Sequence, residues 1–326
     1  MTIGHTITLS TNGSRRGIAV NLLNRGATIA GITLRGIGNR PTIDVVLGYP
    51  APTDYDSDRF YMGSTVGPVA NRLDGGKFQL PLSAFDVGVN EQDRQNALHG
   101  GEYGLHQQVF QASPTRDACH RVFSRALPHL CDGFPGDRLI TVRYELIDAT
   151  SLQCDFVATT DRTTVINLAN HAYFNLGGAL FDHELRLQAN AYTPLNERLI
   201  PTGTVAHLRE EKAENKALNF GQWREINGQS LDHNFILSDG SKLREAASLR
   251  LKETNLQLDV LTTQRAMQVY TGDGLAAPFS PRAGICLEAQ AYPDAPNQRG
   301  FPSIVLEPAQ IYRQRTVFRF GEIRSV

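Results

Sequence analysis

The stretch NLANHAYFNLGG, residues 167–178, decides how the rest of the chain is read. Ile166 and Leu168 alternate with Asn167 and Ala169, so successive side chains point to opposite faces, the period of a β-strand. The same strand is expected to run on through Asn170, His171, Tyr173 and Asn175 until Gly177 and Gly178 end it. Amides, an imidazole and aromatic rings this dense inside a β pattern suit a surface that hydrogen-bonds a hydroxyl-rich ligand and stacks on its apolar face. A polar strand end with one histidine satisfied by the backbone accounts for the same residues. The stretch sets the β class and leaves the function to its surroundings.

Outward from it, period-2 patterns recur. Ile140, Val142, Tyr144 and Leu146 face one way, with Thr141, Arg143 and Glu145 facing the other. Leu185, Leu187 and Ala189 alternate with Glu184, Arg186, Gln188 and Asn190; Leu256, Leu258 and Val260 alternate with Gln257 and Asp259; Phe318 and Phe320 share a face near the end. Half-buried strands separated by Gly, Pro, Asn and Asp clusters predict stacked antiparallel sheets. The only helical signal is 208–218, LREEKAENKAL, which supports a short surface helix at most. There is no βαβα rhythm, no repeat of about 20–50 residues and no Pro/Gly-rich linker. The expectation is an all-β fold, one large antiparallel β-sandwich domain over residues 1–326.

Composition narrows the partners. Of 326 residues, 41% are hydrophobic and 20% charged, enough for a sizeable core. With 32 basic and 33 acidic residues the formal net charge is −1, and no block of like charge offers a nucleic-acid or polybasic membrane surface. The N-terminal MTIGHTITLS lacks the charged and apolar regions of a classical signal peptide, and no window approaches the roughly 18 apolar residues of a membrane span. Cys119, Cys131, Cys154 and Cys286 contain no C-x-x-C pair and are expected as reduced thiols, with a cytoplasmic location the expectation.

Five segments carry polar residues in unusual places: GPVANRLDGG at 67–76, NALHGG at 96–101, the opening stretch, LDHNFIL at 231–237 and GICLEAQAYPDAPNQ at 284–298. A turn asparagine and a solvated arginine explain Asn71 and Arg72 as well as a ligand does. His99 before two glycines is either a turn or an imidazole brought close to a ligand, and Asp232 can be a plain turn former. The last segment is the sharpest. Ile285, Leu287 and Ala289 make an apolar face, leaving Cys286, Glu288 and Gln290 on the other, and a mid-strand carboxylate is disfavoured unless its face meets solvent or a cleft. There is no H-E-x-x-H, no EF-hand loop, no phosphate-binding or dinucleotide glycine motif and no G-x-S-x-G elbow. What remains is a proton-transfer set with hydroxyl binders.

Together these segments resemble the aldose 1-epimerases, or galactose mutarotases. NRLDGGKFQL, NALHGG, DGFPGDRLITVRYEL, TDRTTVINLANHAYFNLGG, YTPLNERLIPTG, LDHNFIL, QVYTGDGL and LEAQAYPDAPNQRGFPSIVLEP occur in family order over roughly residues 67–308. The resemblance implies a large β-sandwich with an open carbohydrate site, a free aldose as substrate, no cofactor or metal, no nucleic-acid or membrane partner, and a monomer or homodimer. Position by position it puts Glu288 as general base, His171 as general acid, His99 as a second imidazole near the ring oxygen, and Asn71, Arg72, Tyr173, Asp232 and Gln268 on sugar hydroxyls. Two departures stand out: Pro68 where the family commonly has arginine, and EYGLHQQVF after LHGG. The insert-like NEQDRQ at 90–95 adds to the rim.

The chemistry fits those residue types. Opening a hemiacetal removes the anomeric hydroxyl proton while protonating the ring oxygen, which a carboxylate and an imidazolium on either side can do together. That requires Glu288 ionised, its pKa held down by Arg72 or an imidazolium, and His171 protonated. A bell-shaped pH profile follows, with the falling limb on His171. Rival readings are a non-catalytic sugar binder or sensor on the same fold, a two-carboxylate glycosidase pairing Asp232 with Glu288, and a mutarotase for phosphorylated hexoses, which would need a basic cluster.

Overall fold

A computed structural model describes residues 6–324 apart from 12–15, 115–116, 210–212, 238–239 and 241. The alternating segments form the expected strands. Arg138–Leu146 buries Ile140, Val142, Tyr144 and Leu146, and Tyr312–Glu322 buries Phe318 and Phe320. Both lie in a nine-stranded antiparallel sheet, in the order Gln111–Ala112, His120–Leu127, Arg138–Leu146, Ser151–Thr160, Tyr312–Glu322, Leu256–Thr262, Arg244–Leu251, Glu184–Leu187, Arg224–Glu225. A six-stranded sheet runs Tyr173–Phe174, Ile285–Gln290, Ala266–Tyr270, Asp232–Ile236, Ala191–Tyr192, Ala206–His207. Thr6–Ser10, Gly17–Leu23, Thr28–Ile37 and Arg40–Asp44 make a third sheet.

One face of the six-stranded sheet supplies Phe174, Ile285, Leu287, Met267, Val269 and Phe235 to the same apolar cluster as Ile140, Phe156, Val260 and Phe318 of the large sheet. Phe174 and Phe318 meet across that layer with ring centroids 5.1 Å apart. Each such buried ring contributes roughly 1.5–3 kcal/mol. Because side chains alternate, the other face carries Cys286, Glu288, Gln268, Tyr270 and Asp232 away from the core. The expected apolar–polar split of 285–290 is borne out.

The expectation for 167–175 needs correcting. It is not one strand but short pieces paired to different neighbours: Ala169–Asn170 with Thr65–Val66, and Tyr173–Phe174 with Ile285–Cys286, after Thr164–Val165 has paired with Val305–Leu306. Side-chain amides explain the breaks. Asn170 donates to the Gly63 carbonyl and accepts the Ala172 N–H; Asn167 accepts the Ala291 N–H; Asn175 accepts the N–H groups of Gly177 and Gly178. Each amide stands in for a missing ladder partner. These asparagines are scaffold, and of the stretch only His171 and Tyr173 reach the cleft described below.

The helical expectation shrinks to Ala213–Leu218, with 210–212 of that segment outside the described residues. Among the described residues no helix is long and apolar enough to cross a membrane. All four cysteines are free, with Cys154 and Cys286 buried.

Candidate active site

The six-stranded sheet sets the geometry by register. Asn234, Gln268 and Glu288 stand opposite one another on three adjacent strands, and the next row is Asp232, Tyr270, Cys286 and Tyr173. Loops close over this face to leave a cleft of about 670 Å³. Its lining includes all of Asn71, Arg72, His99, His171, Tyr173, Asp232 and Glu288. Gln268, also expected here, joins through Asp232, whose Oδ1 accepts its Nε2–H at 2.6 Å.

His99 owes its place to backbone geometry. The residue itself has φ 55°, and Gly100 at φ 90° passes so close to Gly67 that an added Cβ would lie 2.1 Å from the Gly67 carbonyl oxygen. Only glycine fits there. The His99 N–H donates to the Asn71 carbonyl, and the Asn71 N–H donates back to His99 Nδ1 at 3.1 Å. With Nδ1 accepting, the neutral ring carries its proton on Nε2. Burial and the neighbouring His171, His106 and Arg72 charges hold the His99 pKa well below 6.5.

His171 Nε2 lies 3.7 Å from Glu288 Oε1, and both side chains are almost fully buried. His171 packs against Tyr173, His99 and Tyr61, with ring centroids 5.1, 5.0 and 5.7 Å away, and Cys286 Sγ is 3.5 Å from its Nδ1. Glu288 Oε2 is buried without a hydrogen-bond partner, as is Gln268 Oε1. Nitrogens of His99 and His171 and a Glu288 oxygen all lie within 4.8 Å of one another, a donor set a divalent transition metal can also use.

Burial acts against the expected charge state of this pair. Burial, with the Asp232 charge, pushes the Glu288 pKa well above 4.5 against the opposing pull of Arg72. Burial likewise pushes His171 down to about 4. Desolvation penalises both charged forms, raising the carboxyl and lowering the imidazole. Burial outweighs the lowering pull of Arg72, whose guanidinium also donates from Nε and Nη2 to Glu91 and places Nη1 3.4 Å from Asp232.

Other residues come out differently. Tyr173 lines the cleft, but its hydroxyl donates to the Phe60 carbonyl at 3.1 Å, leaving the ring to face a ligand. Pro68 is buried and lines no part of the cleft. Reading the sequence missed Tyr61, wedged between His99 and His106 with φ 56°, and Glu91, the partner of Arg72. Nothing in FYMGST marks the tyrosine; the insert-like 90–95 was the only hint of the glutamate.

Comparison with known proteins identifies the family. The aldose 1-epimerase family model matches residues 6–319. Bovine galactose mutarotase is 33% identical over 318 residues, covering 93% of this chain and 91% of that protein. Aldose 1-epimerase of Escherichia coli K12 is 29% identical, covering 97% and 96%. The crystal structure of an aldose epimerase homologue from C. elegans superposes with a TM-score of 0.89, covering 98% of this chain and 100% of the other at 24% identity, a likeness of fold. The chain belongs to the aldose 1-epimerase family.

Proposed function

We propose that this protein is an aldose 1-epimerase, interconverting the α and β anomers of a free aldose such as galactose or glucose. One observation carries the reading beyond family membership: a carboxyl and an imidazole 3.7 Å apart at the floor of a polar cleft. The anomeric oxygen and the ring oxygen of an aldose are bonded to the same carbon, so an acid and a base that act on both must be neighbours. His171 and Glu288 are.

In the reaction, Glu288 takes the proton of the anomeric hydroxyl while His171 delivers one to the ring oxygen. The C1–O5 bond breaks, its electrons go to O5, and the C1–O1 bond becomes the aldehyde carbonyl. Rotation about C1–C2 presents the other carbonyl face, and the two groups exchange roles on closure. The starting state needs the shared proton on His171. A sugar hydroxyl donating to Glu288 favours the carboxylate form and so draws the proton across. His99, with Nε2–H, donates near the ring oxygen. Asn71, Arg72 and Asp232 hold the remaining hydroxyls, with Gln268 acting through its hydrogen bond to Asp232, and the Tyr173 ring packs on the sugar. The cleft volume lies within the usual range for small-molecule sites, about 300–1,000 Å³.

The test is polarimetry of anomerically pure α-D-glucose and α-D-galactose with the purified protein. Acceleration over the buffer rate is expected. Sugar binding without acceleration would favour the sensor reading and overturn this one.

A further inference from the structure

Glu91 lies outside every residue so far given a part in the reaction, yet its side chain is only 10% exposed. It opens a tight loop: the Glu91 N–H donates to the Asn96 carbonyl and the Asn96 N–H donates back. Arg198 fastens the loop from outside, donating from Nε to the Arg94 carbonyl at 2.8 Å and from Nη2 to the Gln95 carbonyl at 2.7 Å. The carboxylate turns inward under this frame. Asn96 Nδ2 donates to its Oε2 and Arg94 Nη1 to its Oε1. Its main partner is Arg72, whose Nε lies 3.0 Å from Oε2 and whose Nη2 lies 3.0 Å from Oε1.

This is a fork-to-fork pair, the arrangement that fixes a guanidinium in plane as well as in place. It uses the Nε/Nη2 edge of Arg72 and leaves Nη1 pointing at Asp232 and the cleft. A free arginine of this length has several rotatable bonds and would sample many positions over a cleft this wide.

We propose that Glu91 is a positioning residue that aims Arg72 at the sugar and so sets substrate affinity without itself touching substrate. The proposal rests on the mutarotase reading, and its consequence is a split in the kinetics. Removing Glu91 should weaken sugar binding, because Arg72 loses its aim, while the step at Glu288 and His171 proceeds from the bound state with kcat little changed.

The experiment is a double-mutant cycle on the full-length protein, with Glu91→Gln, Arg72→Lys and the double variant followed by polarimetry on α-D-galactose after thermal melting shows each to be folded. Wild-type acceleration is measured first; its absence would end the mutarotase reading, and only with it present does the cycle address Glu91. Glu91→Gln should raise KM about tenfold, the loss of roughly one well-aimed charged hydrogen bond. In the Arg72→Lys background, which has no fork to aim, the same change should add little. A KM within about twofold of wild type, a loss confined to kcat, or an equal effect in both backgrounds would overturn the proposal. Should Glu91→Gln fail to fold, Glu91→Asp, which keeps the charge but shortens the reach, is read in the same cycle against the same outcomes.

Discussion

Replacing Glu288 by glutamine tests both the chemistry and the electrostatics of the cleft. The side chain is almost fully buried, one oxygen is 3.7 Å from His171 Nε2 and the other has no partner. The amide keeps that outline but cannot accept the anomeric proton, so the rate should fall by about 10²–10⁴-fold, the usual worth of a general base. Sugar affinity should change much less, because Asn71, Arg72, Asp232 and Gln268 are untouched. Stability should move the other way. The folded-state pKa of Glu288 lies above 4.5, so the native protein binds more protons than the unfolded chain from about 4.5 up to the folded pKa. Over that window the carboxyl loses stability as pH rises. Glutamine has no proton to lose, so the variant should melt no lower than wild type at pH 7 and gain on it as pH rises through the window. The assay is a polarimetric time course beside a sugar titration and thermal melts on one preparation. More than about a tenth of wild-type activity would show that Glu288 is not the base, and a lower melting temperature at pH 7 would refute the account of its burial.

Three further outcomes follow from the same geometry. After subtraction of the buffer-catalysed rate, kcat/KM should rise with pH around 4, where the pair sheds its second proton, and fall at a pH above the ordinary carboxylate range, where it loses the first; a rising limb centred near 6.5 would refute the assignment. Folding stability should drop on acidification from pH 6.5 to about 4, because buried His171 is held to about 4 and the unfolded chain takes the proton first, which costs roughly 3 kcal/mol at about 1.36 kcal/mol per pKa unit; denaturant unfolding of wild type and His171→Asn checks it, the variant showing a smaller drop. Asp132→Ala should cost about 3–5 kcal/mol by stranding Arg138, whose Nη1 and Nη2 both donate to that carboxylate and which is wholly buried, read as a shift in urea midpoint.

The strands were legible wherever one face meets the core and the other does not. In 138–146 the apolar residues alternate because the pleat alternates, and the expected face is the buried one. Around residue 170 that logic fails because both sides are buried, so alternation carries no information about which neighbour pairs where. The chain there hops between partners, and the asparagines that permit the hops look in sequence like ligand binders. Three of the five polar side chains in NLANHAYFNLGG, the asparagines, are thus backbone repair. The quoted DGFPGDRL motif holds another such case, since Asp132 and Arg138 form a buried pair that is not among the cleft-lining residues.

The site was legible at the level of residue type and illegible at the level of charge. Mid-strand Glu288 opposite Gln268 follows from the pattern of LEAQ and the register of its sheet. Its raised pKa does not, because burial depends on what closes over the face, and the closing parts are loops far away in sequence. Arg72 shows why proximity alone misleads. It lies in the same cleft as Glu288, but Glu91 and Asp232 already draw on its charge, so desolvation decides the direction. In the proposed reaction a sugar hydroxyl donating to Glu288 would favour the carboxylate and the transfer of a proton across the 3.7 Å gap to His171, which would tie the competent charge state to the bound sugar.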